Sequence, residues 1–351
     1  MNPRSVRTPS YPRPRHRTFL LVAIAGLAII SAACSDSAAP LADGGGAGSA
    51  SEGPWTFTDD RPVTVTHDAV PQRIIAYEED AATLMELGIR PIAIFGSGPL
   101  EDNVFLEGQD LTGIESVGEV WGEIDIEKVA SLAPDLIVNS YWASTQSGGG
   151  WGFATKKQLE TLEAIAPVVQ FESGTSAIGT TKRYLELAQA LGADIEAPEV
   201  ASQRQAYDDA VARLEAAVEA NPGISVLAVA AIPSDQVYIA DPSTFPDLVD
   251  LATSGVELMA PDTIDDGAWE YLSWEEATKY QPDLLMVDRR PSAPTFQDLL
   301  KVPTWTKLRA VEAGQLIPWK VPSVESFQLQ ADRIDALAEA IEGARDLDGS
   351  E

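Results

Sequence analysis

The side chains of this chain that could do chemistry are aromatic rings and a few cations rather than nucleophiles or metal ligands. There are two histidines, His16 close to the amino terminus and His67 after Val63-Thr-Val-Thr, where a surface strand residue is expected. Such a supply rules out a histidine-cluster metal site and a triad drawing on several histidines. There is no glycine-rich phosphate loop and no nucleophile elbow, and Asp262-Thr-Ile-Asp-Asp-Gly267 lacks the spacing of a calcium loop. That segment reads as a solvated acidic loop. The aromatic and basic residues, by contrast, collect in a few places. Tyr141, Trp142 and Trp151 stand in the first half, and Trp269, Tyr271, Arg289, Arg290, Trp319 and Lys320 in the second. Flat rings stack on organic surfaces, while a tyrosine or arginine hydrogen-bonds oxygens. Binding is the chemistry these types offer best; an exported α/β hydrolase working with paired carboxylates is the alternative.

Two similar stretches position these residues. Ile124-Asp-Ile-Glu-Lys-Val-Ala-Ser-Leu-Ala-Pro-Asp-Leu-Ile-Val-Asn-Ser140 runs parallel in type to Leu272-Ser-Trp-Glu-Glu-Ala-Thr-Lys-Tyr-Gln-Pro-Asp-Leu-Leu-Met-Val-Asp288. Each opens on an N-cap residue, Asp125 or Ser273, and Ser273 has Glu276 three positions on, as a capping box requires. Each predicts a short helix stopped at Pro134 or Pro282, then an apolar strand of the kind covered on both faces. A unit that occurs once in each half predicts two lobes.

The elements between follow the same alternation. A hairpin over Trp55 to Thr66 turns at Asp59-Asp60-Arg61-Pro62. Strands at 73–77 and 91–95 flank a helix over Glu78 to Leu87 that Gly88 closes, a βαβ pattern implying a parallel sheet. A helix over 156–165 and a strand over 168–171 follow. Residues 201–220 contain neither glycine nor proline, which predicts one stiff helix from Pro198 to Ala220. Beyond it lie strands at 225–230 and 236–239, a helix at 247–253, the second repeat, helix over 296–300 and 305–310, a strand at 315–318 and a last helix over 326–344. Trp274 and Trp305 fall inside helices and read as packing residues. The fold class is α/β: two Rossmann-like lobes with parallel-rich sheets, joined by a single long backbone helix. In such sheets ligands bind outside the carboxyl ends of the strands, here the loops after Phe95, Ser140, Ile239, Asp288 and Pro318.

The amino terminus reads as an export signal. Five arginines between Arg4 and Arg17 precede the uncharged run Phe19 to Ala33, which ends at Cys34. Ile30-Ser-Ala-Ala-Cys34 resembles a bacterial lipoprotein box, and Cys34 is the single cysteine, so lipidation there would hold the protein on the outer face of the cell membrane. The expected segments are a signal over 1–34, a Ser/Ala/Gly-rich tether over 35–53, an N-terminal lobe over 54–178, a helical linker over 179–222, a C-terminal lobe over 223–345 and a polar tail over 346–351. A formal net charge of -30 argues against nucleic acid.

With these features in view, the chain resembles the iron-siderophore and cobalamin class of ABC-transporter solute-binding proteins. The likeness rests on Val117-Gly118 leading to Ile124-Asp-Ile-Glu127, on Leu132-Ala-Pro-Asp-Leu-Ile137, and on Leu162-Glu-Ala-Ile-Ala-Pro167. Tyr271-Leu-Ser-Trp-Glu-Glu276 with Pro282-Asp-Leu284, and Trp305-Thr-Lys-Leu-Arg-Ala-Val311, extend it over residues 73–344. The resemblance implies a monomer with no intrinsic cofactor and no protein-bound metal. The ligand it implies is an iron(III)-siderophore chelate of hydroxamate type, or alternatively cobalamin or haem, delivered to a permease and its ATPase. Family members that bind hydroxamates use a tyrosine where Tyr141 stands and tryptophans near Trp269 and Trp319. The family's permease-docking glutamates would be met here by Glu160 and Asp298, although Lys156-Lys157 occupy the start of the lobe-one docking helix.

Overall fold

The computed structural model describes residues 54–347 apart from 104, 143–148, 232–235, 266, 290–292 and 320–325. The export signal, the tether, Cys34, Arg290, Lys320 and the last residues of the tail lie outside the described residues.

A hairpin of β1 (Trp55–Thr58) and β2 (Thr64–His67) opens the fold. The first large sheet is built from β3 (Ile74–Tyr77), β4 (Ala93–Phe95), β5 (Glu115–Gly118), β6 (Leu136–Tyr141) and β7 (Val168–Glu172). Its order is β5-β4-β3-β6-β7, and every pair is parallel. Helices α1 (Glu78–Glu86), α2 (Ile126–Ser131), α3 (Lys156–Glu163) and α4 (Ala177–Ala190) cover it. Ile74, Ala76, Leu136 and Val138 pack with α1 and α4 on one face, and Ile75, Ala93 and Ile137 with α2 and α3 on the other. Coverage on both faces explains why the strands read as unbroken apolar runs.

Helix α5 (Pro198–Ala220) crosses from this core to the next. Pro198 sits at its first turn, where a missing N–H costs nothing. Val200 joins the first core, whereas Ala210, Leu214 and Ala217 join the second. Its 23 residues span about 34 Å at the usual rise.

The second sheet contains β8 (Ser225–Ala230), β9 (Gln236–Ala240), β10 (Glu257–Leu258), β11 (Trp269–Ser273), β12 (Leu284–Asp288) and β13 (Leu316–Trp319). Its main order is β11-β9-β8-β12-β13, with β10 also on β8. Helices α6 (Pro246–Thr253), α7 (Phe296–Leu299), α8 (Arg309–Ala313) and α9 (Phe327–Gly343) complete it, with α9 packed along α5. Hydrogen bonds between the lobes include those at α6 and α9: Asp250 of α6 accepts from Ser176 Oγ at 2.7 Å and from Ile178 N at 2.9 Å, and Gln330 Nε2 donates to Thr181 Oγ1 at 2.6 Å.

The Pro-Asp-Leu repeat has the same structural role in both lobes. Asp135 accepts from the backbone N–H groups of Gln72 and Arg73 at 2.9 and 3.0 Å, just before β3. Asp283 accepts from Ser225 N at 2.9 Å, at the start of β8. In each case the carboxylate closes off donors that the neighbouring parallel strand leaves unpaired.

Three expectations need correction. The helix of the second repeat is only a 3-10 turn over Glu276–Lys279, because Tyr280 leaves it to donate its hydroxyl to Glu270 at 2.6 Å. The Ser273–Glu276 capping box does form, but the residues before it, Trp269–Ser273, are strand. The expected helix over 305–310 is broken at Leu308, which is extended. Strand β9 runs antiparallel to β8, so its carboxyl end points opposite to those of β8, β12 and β13 and the loop after Ile239 falls outside the ligand rule.

Candidate functional site

The carboxyl ends of the lobe-one strands are crossed by a strap, residues 149–155, that carries Trp151. Two fully buried amides anchor it. Gln170 Nε2 donates to Asn139 Oδ1 and to Gly149 O, both at 2.8 Å, and Asn139 Nδ2 donates to Trp151 O at 3.0 Å. Trp151 N donates to Ser140 O at 2.7 Å. Gly150 has φ +95°, and a β-carbon there would sit 2.9 Å from Ser140 O and closer still to both amides, so a glycine is required at this position. The strap goes on over Phe95, on which Phe153 stacks at 5.4 Å.

From Trp151 a continuous path of rings crosses to the other lobe. Trp151 meets Trp142 at 6.3 Å, and Trp142, at the end of β6, stands edge-on to Phe245 of lobe two at 5.7 Å. Phe245 touches Trp269 at 4.7 Å and Trp319 at 5.4 Å. Trp269 continues to Tyr238 at 6.1 Å, and Tyr238 to Tyr271 at 4.7 Å. Tyr271 is 38% exposed, and Trp142, Trp151 and Trp269 are half-buried. Trp319 is buried, and its indole N–H donates to Asp247 Oδ2 at 2.6 Å. Burial pushes the Asp247 carboxyl up, opposed by that bond and by Arg333.

The structure therefore gathers Trp142, Trp151, Trp269 and Tyr271, with Trp319 as backing. Among the described residues, it does not bring Tyr141, Arg289, Glu160 or Asp298 to these rings. Tyr141 donates its hydroxyl to Asp60 O of the hairpin turn at 3.3 Å; burial, Glu172 and Asp60 push this phenol up. That turn is fixed because Asp59 and Asp60 accept from Gln170 N and Glu172 N along the free edge of β7. Arg289 folds onto its own loop, donating to Pro294 O at 2.9 Å with its guanidinium 4.8 Å from the Phe296 ring centre. Arg290 lies outside the described residues. Glu160 is exposed on α3, behind the exposed Lys156 and Lys157. Asp298 is exposed but committed: it forms the capping box of α7 with Thr295 and pairs with Lys301 at 2.8 Å, which holds its carboxyl at about 2. Both docking candidates thus sit among lysines.

Sequence reasoning missed Tyr238, Phe245 and Trp121, and the buried acids after β3. Reading Trp269-x-Tyr271-x-Ser273 as alternation would have identified β11 and its ring-bearing face. Phe245 follows an antiparallel strand, so no strand-end rule reaches it. At the start of α1, Glu78 accepts from Ser97 N at 2.8 Å, burial pushes Glu79 up to about 8, and burial pushes Asp80 up to about 7 against a hydrogen bond from Tyr184. Among the described residues, no group of three or more His, Cys, Asp or Glu could hold a metal ion.

Comparison with known proteins agrees with this architecture. The family model described as periplasmic binding protein matches residues 113–322. DesE, a ferric-siderophore receptor protein from Streptomyces coelicolor, is 34% identical with a TM-score of 0.74, covering 83% of this chain and 99% of that one. The Fe(3+)-citrate-binding protein YfmC of Bacillus subtilis is 24% identical over 302 residues, 84% of this chain and 88% of that protein. The petrobactin-binding protein YclQ of Bacillus subtilis shares the fold at 17% identity, with a TM-score of 0.63 over 82% of this chain and 99% of its own. The family and these neighbours are binding proteins, which sets aside the hydrolase alternative. The chain belongs to the periplasmic binding protein family, in the iron-siderophore and cobalamin class of solute-binding proteins.

Proposed function

We propose that the protein captures a ferric siderophore of the hydroxamate type between its lobes and delivers it to a membrane permease driven by an ATPase. The observation that carries this reading is the ring path from Trp151 through Trp142, Phe245 and Trp269 to Tyr271, which presents half-buried aromatic faces from both lobes to one place. Such faces suit the organic shell of a chelate. The names of DesE and YfmC, a ferric-siderophore receptor and a Fe(3+)-citrate-binding protein, support iron as the cargo. Two features favour a neutral hydroxamate over an anionic catecholate or citrate complex. Arg289 is held by its own loop, and the chain carries a formal net charge of -30. Donation from the Tyr141 hydroxyl to the ligand requires that it give up Asp60 O. Trp319 acts from behind, fixing Trp269 and Phe245. An anchor on a lipidated Cys34 would keep the monomer at the outer face of the membrane, near its permease; Glu160 and Asp298 remain the docking candidates.

The test is tryptophan fluorescence during titration with a ferric trihydroxamate, a ferric catecholate, ferric citrate, cobalamin and haem. Ferric chelates absorb where tryptophan emits, so saturable quenching by the trihydroxamate, lost in Trp142→Ala or Trp269→Ala, is the expected result. Saturation by cobalamin or haem alone would keep the cleft and change the cargo. Absence of saturation by any of them at micromolar protein would overturn the reading.

A further inference from the structure

Lobe one carries another aromatic residue at its ligand-facing end, well away from the ring path in sheet order. The loop between β5 and α2 leaves the carboxyl end of β5, at the opposite edge of the sheet from β7. Within it, Val120 and Trp121 are 54% and 45% exposed, and Glu119 and Glu123 beside them are exposed too. An indole shown to water at the end of a sheet where ligands bind is an unused apolar surface.

The loop is held firmly in place. Glu123 N donates to Val120 O at 2.9 Å, and Asp125 N donates to Val117 O at 2.8 Å. Gln158 grips it from α3: its Nε2 donates to Gly122 O at 3.1 Å while its Oε1 accepts from Ala154 N at 2.9 Å. Both glycines are required by close approach. A β-carbon on Gly118 would lie 2.7 Å from Glu123 O, and one on Gly122, at φ +78°, would lie 2.8 Å from Ala154 Cβ. Ala154 belongs to the strap that carries Trp151, so Trp151 and Trp121 are mounted on one connected surface across the end of lobe one. A site held to fixed geometry by its supports loses less order when ligand arrives.

We infer that Trp121 is a ligand-contacting residue of the cleft, and that with Glu119 and Glu123 it favours a ferric chelate wrapped in flexible arms of methylenes and N–H groups. This rests on the reading of the cleft as a ferric-siderophore site. Methylene arms pack on the indole face, and amide or ammonium N–H groups of the arms donate to the flanking carboxylates. Neither glutamate is in an ion pair among the described residues. The described loops at this end, residues 96–103, 118–125, 149–155 and 172–176, contain no Lys or Arg; the cations that follow them most closely are Lys128, paired with Glu115 at 3.0 Å, and Lys156 and Lys157, which open α3. A complex rich in carboxylates and lacking N–H donors, such as ferric citrate, would find acceptors here where it needs donors.

The experiment titrates the wild-type protein, Trp121→Ala, Trp121→Phe and Glu119→Gln/Glu123→Gln with a linear ferric trihydroxamate and with ferric citrate. Acrylamide quenching of the Trp121 signal, taken as wild type minus Trp121→Phe, is followed alongside. Trp121→Ala should weaken trihydroxamate binding about tenfold or more, with an unchanged melting temperature because the side chain is exposed. Ligand should shield the Trp121 signal from acrylamide. The double glutamine variant should narrow the preference for trihydroxamate over citrate. Unchanged affinity in Trp121→Ala, with Trp121 still open to acrylamide at saturating ligand, would overturn the inference and leave the functional reading intact if Trp142→Ala abolishes binding. Failure of every ferric chelate to bind the wild type would overturn both.

Discussion

Replacing Asn139 by alanine should loosen the strap under the ligand before it touches any ligand contact. Asn139 is fully buried, accepts from Gln170 Nε2 at 2.8 Å and donates to Trp151 O at 3.0 Å. Two buried hydrogen bonds are lost at about 1 kcal/mol each, and Trp151 O is stranded at a further cost of about 1–3 kcal/mol. Gln170 Nε2 keeps Gly149 O, so its amide is not left bare. We expect a loss of about 3–5 kcal/mol, read from urea unfolding at neutral pH by far-UV circular dichroism. Gln170→Ala should cost a similar amount, and the double variant should fall short of the sum because the two share one bond. A loss under about 0.5 kcal/mol in Asn139→Ala, or strict additivity with Gln170→Ala, would refute the claim that this pair holds the strap.

Three other outcomes follow from the same structure. Asp247→Ala leaves the buried Trp319 N–H without its acceptor and should cost about 1–3 kcal/mol in urea unfolding, with weaker chelate quenching as Trp269 loses its backing. Asp250→Ala removes a cap that lobe two places on α4 of lobe one; it should cost about 1–2 kcal/mol and speed hydrogen exchange at the Ile178 amide. Glu79 is pushed up to about 8 from 4.5 and Asp80 to about 7 from 3.8, so the folded state binds more protons than the unfolded one between about pH 4 and pH 8. Stability from these groups is present at low pH and lost as pH rises through that window. The melting temperature of Glu79→Gln relative to wild type should therefore climb from pH 5 to pH 8.5; a difference that is flat or falls with pH would contradict this.

Much of the scaffold is written locally. The Pro-Asp-Leu unit was visible in both halves because a proline stop, a capping residue and an apolar strand each act within a few residues. Helix α5 came out at Pro198–Ala220 because nothing inside it breaks a helix. The runs of the lobe-one strands declared themselves parallel and covered, since burial on both faces removes alternation. What the aspartate of the repeat does was not legible: Asp135 and Asp283 bond to strands that begin more than fifty residues earlier in the chain.

The binding surface divides along the same line. Residue type alone marked Trp142, Trp151 and Trp269, because an acidic chain poor in histidine has little besides rings with which to hold an organic ligand. Which rings meet, and which are already engaged, only the tertiary structure decided. Phe245 joins the path because α6 packs against α4 across the lobes, and Trp319 is withdrawn because Asp247 lies within 2.6 Å of its N–H. Arg289 is claimed by a carbonyl five residues on, and Tyr141 by a turn eighty-one residues before it. Hydrogen-bond partners and ring neighbours are set by strand order and lobe contact, and those are properties of the packed chain that no local pattern encodes.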